Sequence, residues 1–275
     1  MNWQWAAFLI TAGIAIPLGT SLWGGIIASV SATFLMTSNG ERAGLHLEEL
    51  HTAGLKHVIF SIFGATPEEI AQVQGPFYST KSFAHRQILK LNSAVQKAID
   101  LKLHVSANIV MSNSEHESRV RHLIETYSDT DLQIRILSDL GIGFASSISI
   151  YNLLAKLKAI PIHRKMYAGA SSILVYYQLP RGQQIVFKQI RETRLPSICN
   201  NCQFNNLDDC REGYYGIRVY VDSQGAYKVG VCIQRMDLTV SLQRFLEGEL
   251  PQTIKNLRDY EYSVMSDTAL VCKLL

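Results

Sequence analysis

The sequence predicts an α/β protein in which helices pack outside a run of parallel strands, followed by a small C-terminal cysteine-rich β-hairpin module. Three observations carry this. Strand-like and helix-like segments alternate from Glu41 to Gly141, with crossovers too long for hairpins. The 275 residues are 47% hydrophobic and 18% charged, enough apolar material for one large core or two modest ones. Four of the five cysteines fall between Cys199 and Cys232, where the alternation has faded and short strands follow one another.

The first stretch, "MNWQWAAFLITAGIAIPLGTSLWGGIIASVSATFLMTSNG", has no charged side chain before Glu41. Residues 5–36 are long enough to span a bilayer, since about 20 apolar residues suffice, and Trp3, Trp5 and Trp23 suit its interfaces. No Lys or Arg flanks the front, however, and Pro17 and several glycines interrupt the run. A buried helix and strand, or a displaced reading frame, explains it as well as a membrane segment does. A basic n-region and an A-x-A-like site are both missing, which argues against a signal peptide.

Regular elements begin at Glu41. In "ERAGLHLEELHTAGL" the leucines at 45, 47, 50 and 55 recur at helical spacing, and Gly54 is a natural stop. "KHVIFSIFG" is a short buried strand. Thr66-Pro67-Glu68-Glu69 supplies an N-cap, a proline at the first helical position and a capping-box glutamate, so a helix starts there. "SFAHRQILKLNSAVQKAIDLKL" is a longer amphipathic helix, "HVSANIVM" a strand, "SEHESRVRHLIETY" a helix and "LQIRILSDLG" a strand. After Gly141, "SIYNLLAKLKAI" reads as a helix and "SSILVYYQLP" as a strand, while "QQIVFKQIRETRLP" leads into the cysteines. The chain divides into an apolar segment (1–31), an α/β region (32–145), a connecting region (146–190), a cysteine module (191–250) and a C-terminal tail (251–275).

Sheets of this kind do chemistry at the carboxyl ends of their strands. Those ends are expected at Ser38-Asn39-Gly40, Ser61, Asn108 and Ser138-Asp139. On periodicity alone these are first of all strand-end turn residues.

The cysteine spacing says more. "GIRVYVD" and "AYKVGVC" are strand-like runs joined by Ser223-Gln224-Gly225, so they pair as an antiparallel hairpin. A turn centred near Gln224 sets Cys232 opposite Gly216, within reach of Cys210 and of the Cys199-x-x-Cys202 pair. Four thiolates at one end of a hairpin point to a metal centre. Tetrahedral zinc and an iron–sulfur cluster both fit, and spacing does not choose between them, although the uneven gaps suit a double CxxC zinc ribbon poorly. Cys272 stands apart.

Composition bounds the partners. A net charge of +3, a pI near 8.5 and the lack of a basic run give no electrostatic argument for nucleic acid. Clustered cysteines without a disulfide-scaffold density suit a reducing compartment, so the expectation is cytoplasmic, with membrane association through residues 5–36 as the alternative.

The segments "MTSNG", "LHTAGLKHVIFSIFGATPEEIAQVQG", "LHVSANIVM" and "LQIRILSDLG", in this order and spacing, resemble the second half of the radical S-adenosylmethionine (radical SAM) enzymes, especially those similar to molybdenum cofactor biosynthesis protein A. "CNNCQFNNLDDCREGYYGIRVYVDSQGAYKVGVCIQRMD" is similar to their C-terminal twitch or SPASM-like region. The resemblance covers roughly residues 33–250. It implies a partial (β/α) barrel, S-adenosylmethionine bound by Ser61 with Asn39 and Asn108 nearby, and an auxiliary [4Fe–4S] cluster on Cys199, Cys202, Cys210 and Cys232. It also implies a small-molecule substrate, sugar- or nucleotide-like, beside Arg218, and a reductant such as flavodoxin or ferredoxin. A planar guanidinium suits a phosphate or carboxylate. Ser106 and Ser138 stand where the pterin-forming relatives have a triphosphate-binding lysine and a methionine, so GTP is not carried over.

One departure is larger. Radical formation needs a cluster on a CxxxCxxC triad, and no cysteine precedes Cys199. The G-G-E-P strand end is also missing; Trp23-Gly24-Gly25 has the glycines without the acid. Three readings follow: a truncated or misframed radical enzyme, inactive by itself; a binding or electron-transfer protein keeping one cluster; and a zinc-stabilised module. His46, His51, His116 and His122 read as solvated, as do Lys188, Arg191 and Arg194, whose second reading is an attractor for an anionic substrate. No P-loop, G-x-S-x-G or H-E-x-x-H pattern is present.

Overall fold

The computed structural model describes residues 9–10, 34–75, 81–206, 209–210, 212–214, 216–222, 224–232 and 235–271, with backbone only at 9–10, 34, 81 and 265–271. Strand β1 (Leu9–Ile10) pairs antiparallel with β2 (Phe34–Ser38), which leads into a tight turn. Gly40 N–H donates to Ser38 Oγ at 3.1 Å and Glu41 N–H to Asn39 Oδ1 at 3.1 Å. Gly40 has φ +82°, and a Cβ there would run into Leu91, so only glycine fits this turn. Helix α1 (Ala43–Thr52) then returns to β3 (Leu55–Ser61).

Helix α2 (Pro67–Gln74) has the anticipated capping box: Thr66 Oγ1 accepts from Glu69 N–H, and the Glu69 carboxylate accepts from Thr66 N–H. Helix α3 (Lys81–Asp100) buries Leu91, Ala94, Val95 and Ala98, one face at helical spacing. Strand β4 (His104–Met111) is followed by a single 3₁₀ turn and helix α4 (Glu117–Thr126), which buries Val120, Leu123 and Ile124. Next come β5 (Gln133–Ser138) and helix α5 (Phe144–Lys156). The buried Ser146 hydroxyl donates to Met111 C=O at 2.6 Å and accepts from Asp139 N–H at 2.9 Å, tying α5 to the ends of β4 and β5.

Residues 146–190 do more than connect. They form β6 (Ile160–Met166), β7 (Ser172–Gln178) and β8 (Gln184–Ile190), and β8 lies parallel beside β5. The sheet thus has β2, β3, β4, β5 and β8 side by side and parallel, with β7 and β6 added antiparallel at one end. Strand β6 is the edge; it is exposed along its length and carries Pro161, His163, Arg164 and Lys165, residues that discourage further pairing.

Met36, Val58, Phe60, Val105, Ala107, Ile109, Ile134, Ile136, Ile185 and Phe187 form one buried core with residues of α1, α3, α4 and α5. The opposite alternates mix polar residues, His57, Ser61, His104, Ser106, Asn108, Arg135 and Lys188, with the apolar Ile59, Leu137 and Val186. Helices α1, α3, α4 and α5 all pack on the first face, so among the described residues the second is the helix-free one.

A second buried cluster gathers Leu195, Cys199, Tyr214, Val229, Val231, Phe245 and Ile254. It draws on helix α6 (Pro196–Cys199), the antiparallel strands β9 (Arg218–Val221), β10 (Tyr227–Gly230) and β11 (Val240–Ser241), helix α7 (Leu242–Glu247) and helix α8 (Leu250–Val271). These strands are continuous with the main sheet through β1, whose Ile10 pairs with Val219. Residues 250–271, expected as a tail, are a helix that buries Ile254 and packs Leu250 and Leu257 beside it.

Of the apolar stretch 1–31, only Leu9–Ile10 lies within the described residues. Residues 34–36, the end of the candidate membrane segment, belong to β2 and pair with β3. Among the described residues no helix is long and apolar enough to cross a membrane.

Candidate functional site: a cysteine centre and a cationic sheet face

Cys199 ends α6, the short helix opened by Pro196. Its thiol accepts from Leu195 N–H at 3.3 Å. Cys202 follows in the next turn, its N–H donating to Cys199 C=O at 3.1 Å. The segment carrying Cys210 is pinned to the strand-like run before α6. Thr193 N–H donates to Glu212 C=O at 3.1 Å, Tyr214 N–H to Thr193 C=O at 2.8 Å, and Arg194 Nη2 to Cys210 C=O at 2.6 Å. Gly213 sits against Thr193 C=O and the Arg194 guanidinium with φ +72°, leaving no room for a side chain. Cys232 lies just beyond β10. In the β9–β10 pairing Gly230 faces Arg218, the register anticipated from a turn at Gln224.

All four thiols are free, with Cys199 and Cys210 buried. Burial pushes the Cys199 thiol up; Leu195 N–H and Arg194 oppose this, and Cys210 and Cys232 add to it. The three are therefore within electrostatic reach of one another. Arg235 Nη1 donates to Cys202 Sγ at 3.4 Å. Such N–H···S donors favour a thiolate over a thiol. Among the described residues no three His, Cys, Asp or Glu side chains stand at the spacing of a single bound metal ion. Zinc–sulfur bonds of about 2.3 Å would set tetrahedral thiolates about 3.8 Å apart; a polynuclear cluster separates its ligands further.

The other sequence-derived residues lie on or next to the helix-free face. Ser61 ends β3 and Asn108 sits beside it on β4, in the middle of that strand and not at its carboxyl end. Asn39 and Ser61 line one small cavity of about 40 Å³ with Phe63, Gly64, Gln74 and Gln87, space for a water molecule or two. The Asn39 side chain is committed to its turn, as is Asp139, whose carboxylate accepts from Gly141 N–H at 2.9 Å and from Ser112 Oγ at 2.6 Å. Asn108 Oδ1 is buried with no hydrogen-bond partner.

Arg135, beside Asn108 on β5, was not singled out by motif. An arginine in the middle of an interior strand was the available signal. Its Nε is buried and unpartnered, and burial lowers its pKa. One strand further, Lys188 of β8 is diagonal to it on the same face. Burial, with Arg135 and Arg218 as the nearby cations, brings the Lys188 pKa down to about 8, and Glu212 opposes the shift. Lys188 is thus a half-buried group and not a fully solvated one. Arg191 and Arg194 are not solvated either: Arg191 forms a two-pronged ion pair with Glu261 at 2.8 and 2.9 Å, and Arg194 pairs with Glu192 at 2.7 Å. Arg218, the candidate substrate residue, lies within electrostatic reach of Lys188.

The histidines divide. His57 and His104 are on the helix-free face with ring centroids 4.2 Å apart, and His57 Nε2 is 2.8 Å from Ser106 Oγ. His122 Nδ1 lies 2.8 Å from Glu69 Oε1. The chain matches no protein-family model and no curated protein.

Proposed function

We propose that this chain is a radical SAM-related protein in which Cys199, Cys202, Cys210 and Cys232 bind an auxiliary [4Fe–4S] cluster. The observation that carries the reading is the gathering of free thiols around one apolar core, three of them in electrostatic contact and two receiving N–H donors. A set of four thiolates suits iron–sulfur chemistry. When bound, such a cluster supplies one-electron transfer; the chain's own contribution is to shield it with Leu195, Tyr214, Val231 and Phe245 and to donate hydrogen bonds to its sulfurs.

By resemblance, S-adenosylmethionine lies along Asn39, Ser61 and Asn108, with the substrate, a small sugar- or nucleotide-like molecule, towards Arg218. The sequence has no cysteine before Cys199, so these residues alone do not make a radical-generating cluster. A non-catalytic electron-transfer or binding module, reduced by a flavodoxin or ferredoxin, is the alternative reading.

Anaerobic reconstitution with iron and sulfide tests the proposal. Bound iron, labile sulfide and broad visible absorption are expected, each falling sharply in Cys199→Ser, Cys202→Ser, Cys210→Ser and Cys232→Ser but not in Cys272→Ser. S-adenosylmethionine supplied with a reductant should yield no 5′-deoxyadenosine; appreciable product would overturn the inactive reading. A colourless protein with one zinc would overturn the cluster.

A further inference from the structure

The thiols of the cysteine centre are not held alike. Cys199 is buried, and its sulfur accepts from the backbone N–H of Leu195 at 3.3 Å, a donor fixed by the turn that opens α6. Cys202 is only half-buried, and its donor is a side chain, Arg235 Nη1 at 3.4 Å. That side chain is held from two other directions. Arg235 Nε donates to Asp237 Oδ1 at 2.9 Å and Nη2 to Asp237 Oδ2 at 2.7 Å, a two-pronged grip made where the chain enters the single 3₁₀ turn Met236–Leu238. The guanidinium carbon lies 5.9 Å from the centroid of the Phe204 ring, two residues beyond Cys202. A planar guanidinium gripped along its Nε–Nη2 edge keeps Nη1 aimed at the sulfur. Asp237 is exposed, and a surface ion pair of this kind contributes little to folding. The arrangement therefore has its consequence at Cys202.

We infer that Arg235, acting through Cys202, is a positioning residue that sets the redox poise of the cysteine centre: its N–H···S bond raises the potential at which the bound cluster accepts an electron. This rests on the cluster reading proposed above. One-electron reduction breaks and forms no bond; the electron comes from the external reductant, and the added negative charge spreads onto the thiolate sulfurs. A more negative sulfur is a better acceptor, so the Arg235 bond stabilises the reduced form more than the oxidised one. The Leu195 N–H acts in the same direction at Cys199, but as a backbone donor it does not depend on side-chain identity. Arg235 is the position where a substitution reaches the potential.

The test uses the full chain reconstituted anaerobically with iron and sulfide, then titrated with dithionite against mediator dyes and read by visible absorption. Arg235→Met should keep wild-type iron and sulfide and lower the midpoint. At the wild-type midpoint potential its oxidised-to-reduced ratio should rise by about threefold or more, which for a one-electron couple is a shift of about 28 mV. Arg244→Met, at an exposed position on α7, should leave the midpoint where it is. A midpoint unmoved or raised in Arg235→Met overturns the inference and leaves the cluster reading intact, whereas a wild-type chain without iron and sulfide overturns both. If Arg235→Met does not retain the cluster, Arg235→Lys, which keeps the cation and loses the fork, is titrated in its place and should also lie below wild type. Loss of the cluster in both variants overturns the inference as well, since Arg235 would then hold the cluster and not set its potential.

Discussion

His57 is held neutral by its surroundings: burial first, then His104 and Arg135, lower its pKa to about 3 from an ordinary value of 6.5. Between those values the unfolded chain carries a proton that the folded chain does not. Stability from this group is therefore complete above pH 6.5 and is lost as pH falls towards 3. His57→Gln, which can still bond Ser106, should flatten the dependence of unfolding free energy on pH across that window by about one proton; urea titrations at a series of pH values would show it, and an unchanged slope would contradict it. At this scale the sequence was legible only in part. Ser61, Asn39 and the four cysteines were visible from motif and spacing. Arg135 and Glu212 were not, and Lys188 was read first as solvated, because their surroundings come from strands and loops distant in sequence. Asn108 was placed at a strand end, yet β4 continues to Met111, so its polar side chain is enclosed in mid-sheet.

At the scale of elements, the segments from α1 to α5 were legible because each has a strong local signal. The α2 capping box is the clearest, and Thr66→Ala should cost about 1 kcal/mol in chemical denaturation. Strand β6 was missed because Pro161 and three charged or ionisable residues disguise it, features natural to an edge. Helix α8 was missed because its apolar stripe among the described side chains is narrow, Leu250, Ile254 and Leu257, and part of its docking is polar. Glu261 grips Arg191 with both oxygens and accepts from Gly169 N–H at 2.6 Å. The Arg191 guanidinium and this N–H together hold its carboxyl below the usual range against the effect of burial. Glu261→Gln weakens that grip and should destabilise the protein by about 1–3 kcal/mol. Amide exchange should quicken in α8 first. Equal protection in variant and wild type would show that the apolar stripe suffices.

For the whole molecule, the α/β class and the parallel order followed from alternation, while the division into a barrel-like part and a separate module did not account for the sheet. One sheet runs from β6 to β11, joined by the two-residue β1 and backed by two distinct buried cores. Local sequence carries no sign of such a junction, since it depends on which edges meet. Two cores imply two levels of stability. Phe245→Ala, which empties a position in the second core, should cost about 3 kcal/mol there. It should speed exchange in β9, β10 and α7, lower iron retention and leave β3, β4 and β5 protected. Uniform loss of protection would mean that the two cores unfold as one.

The most direct measurement is iron and acid-labile sulfide per chain after anaerobic reconstitution, on wild type beside Cys210→Ser. The account predicts about four of each per wild-type chain, with visible absorption that bleaches on reduction, and a marked loss in the variant. Stoichiometric zinc in a colourless protein, or iron content indifferent to Cys210, would contradict it.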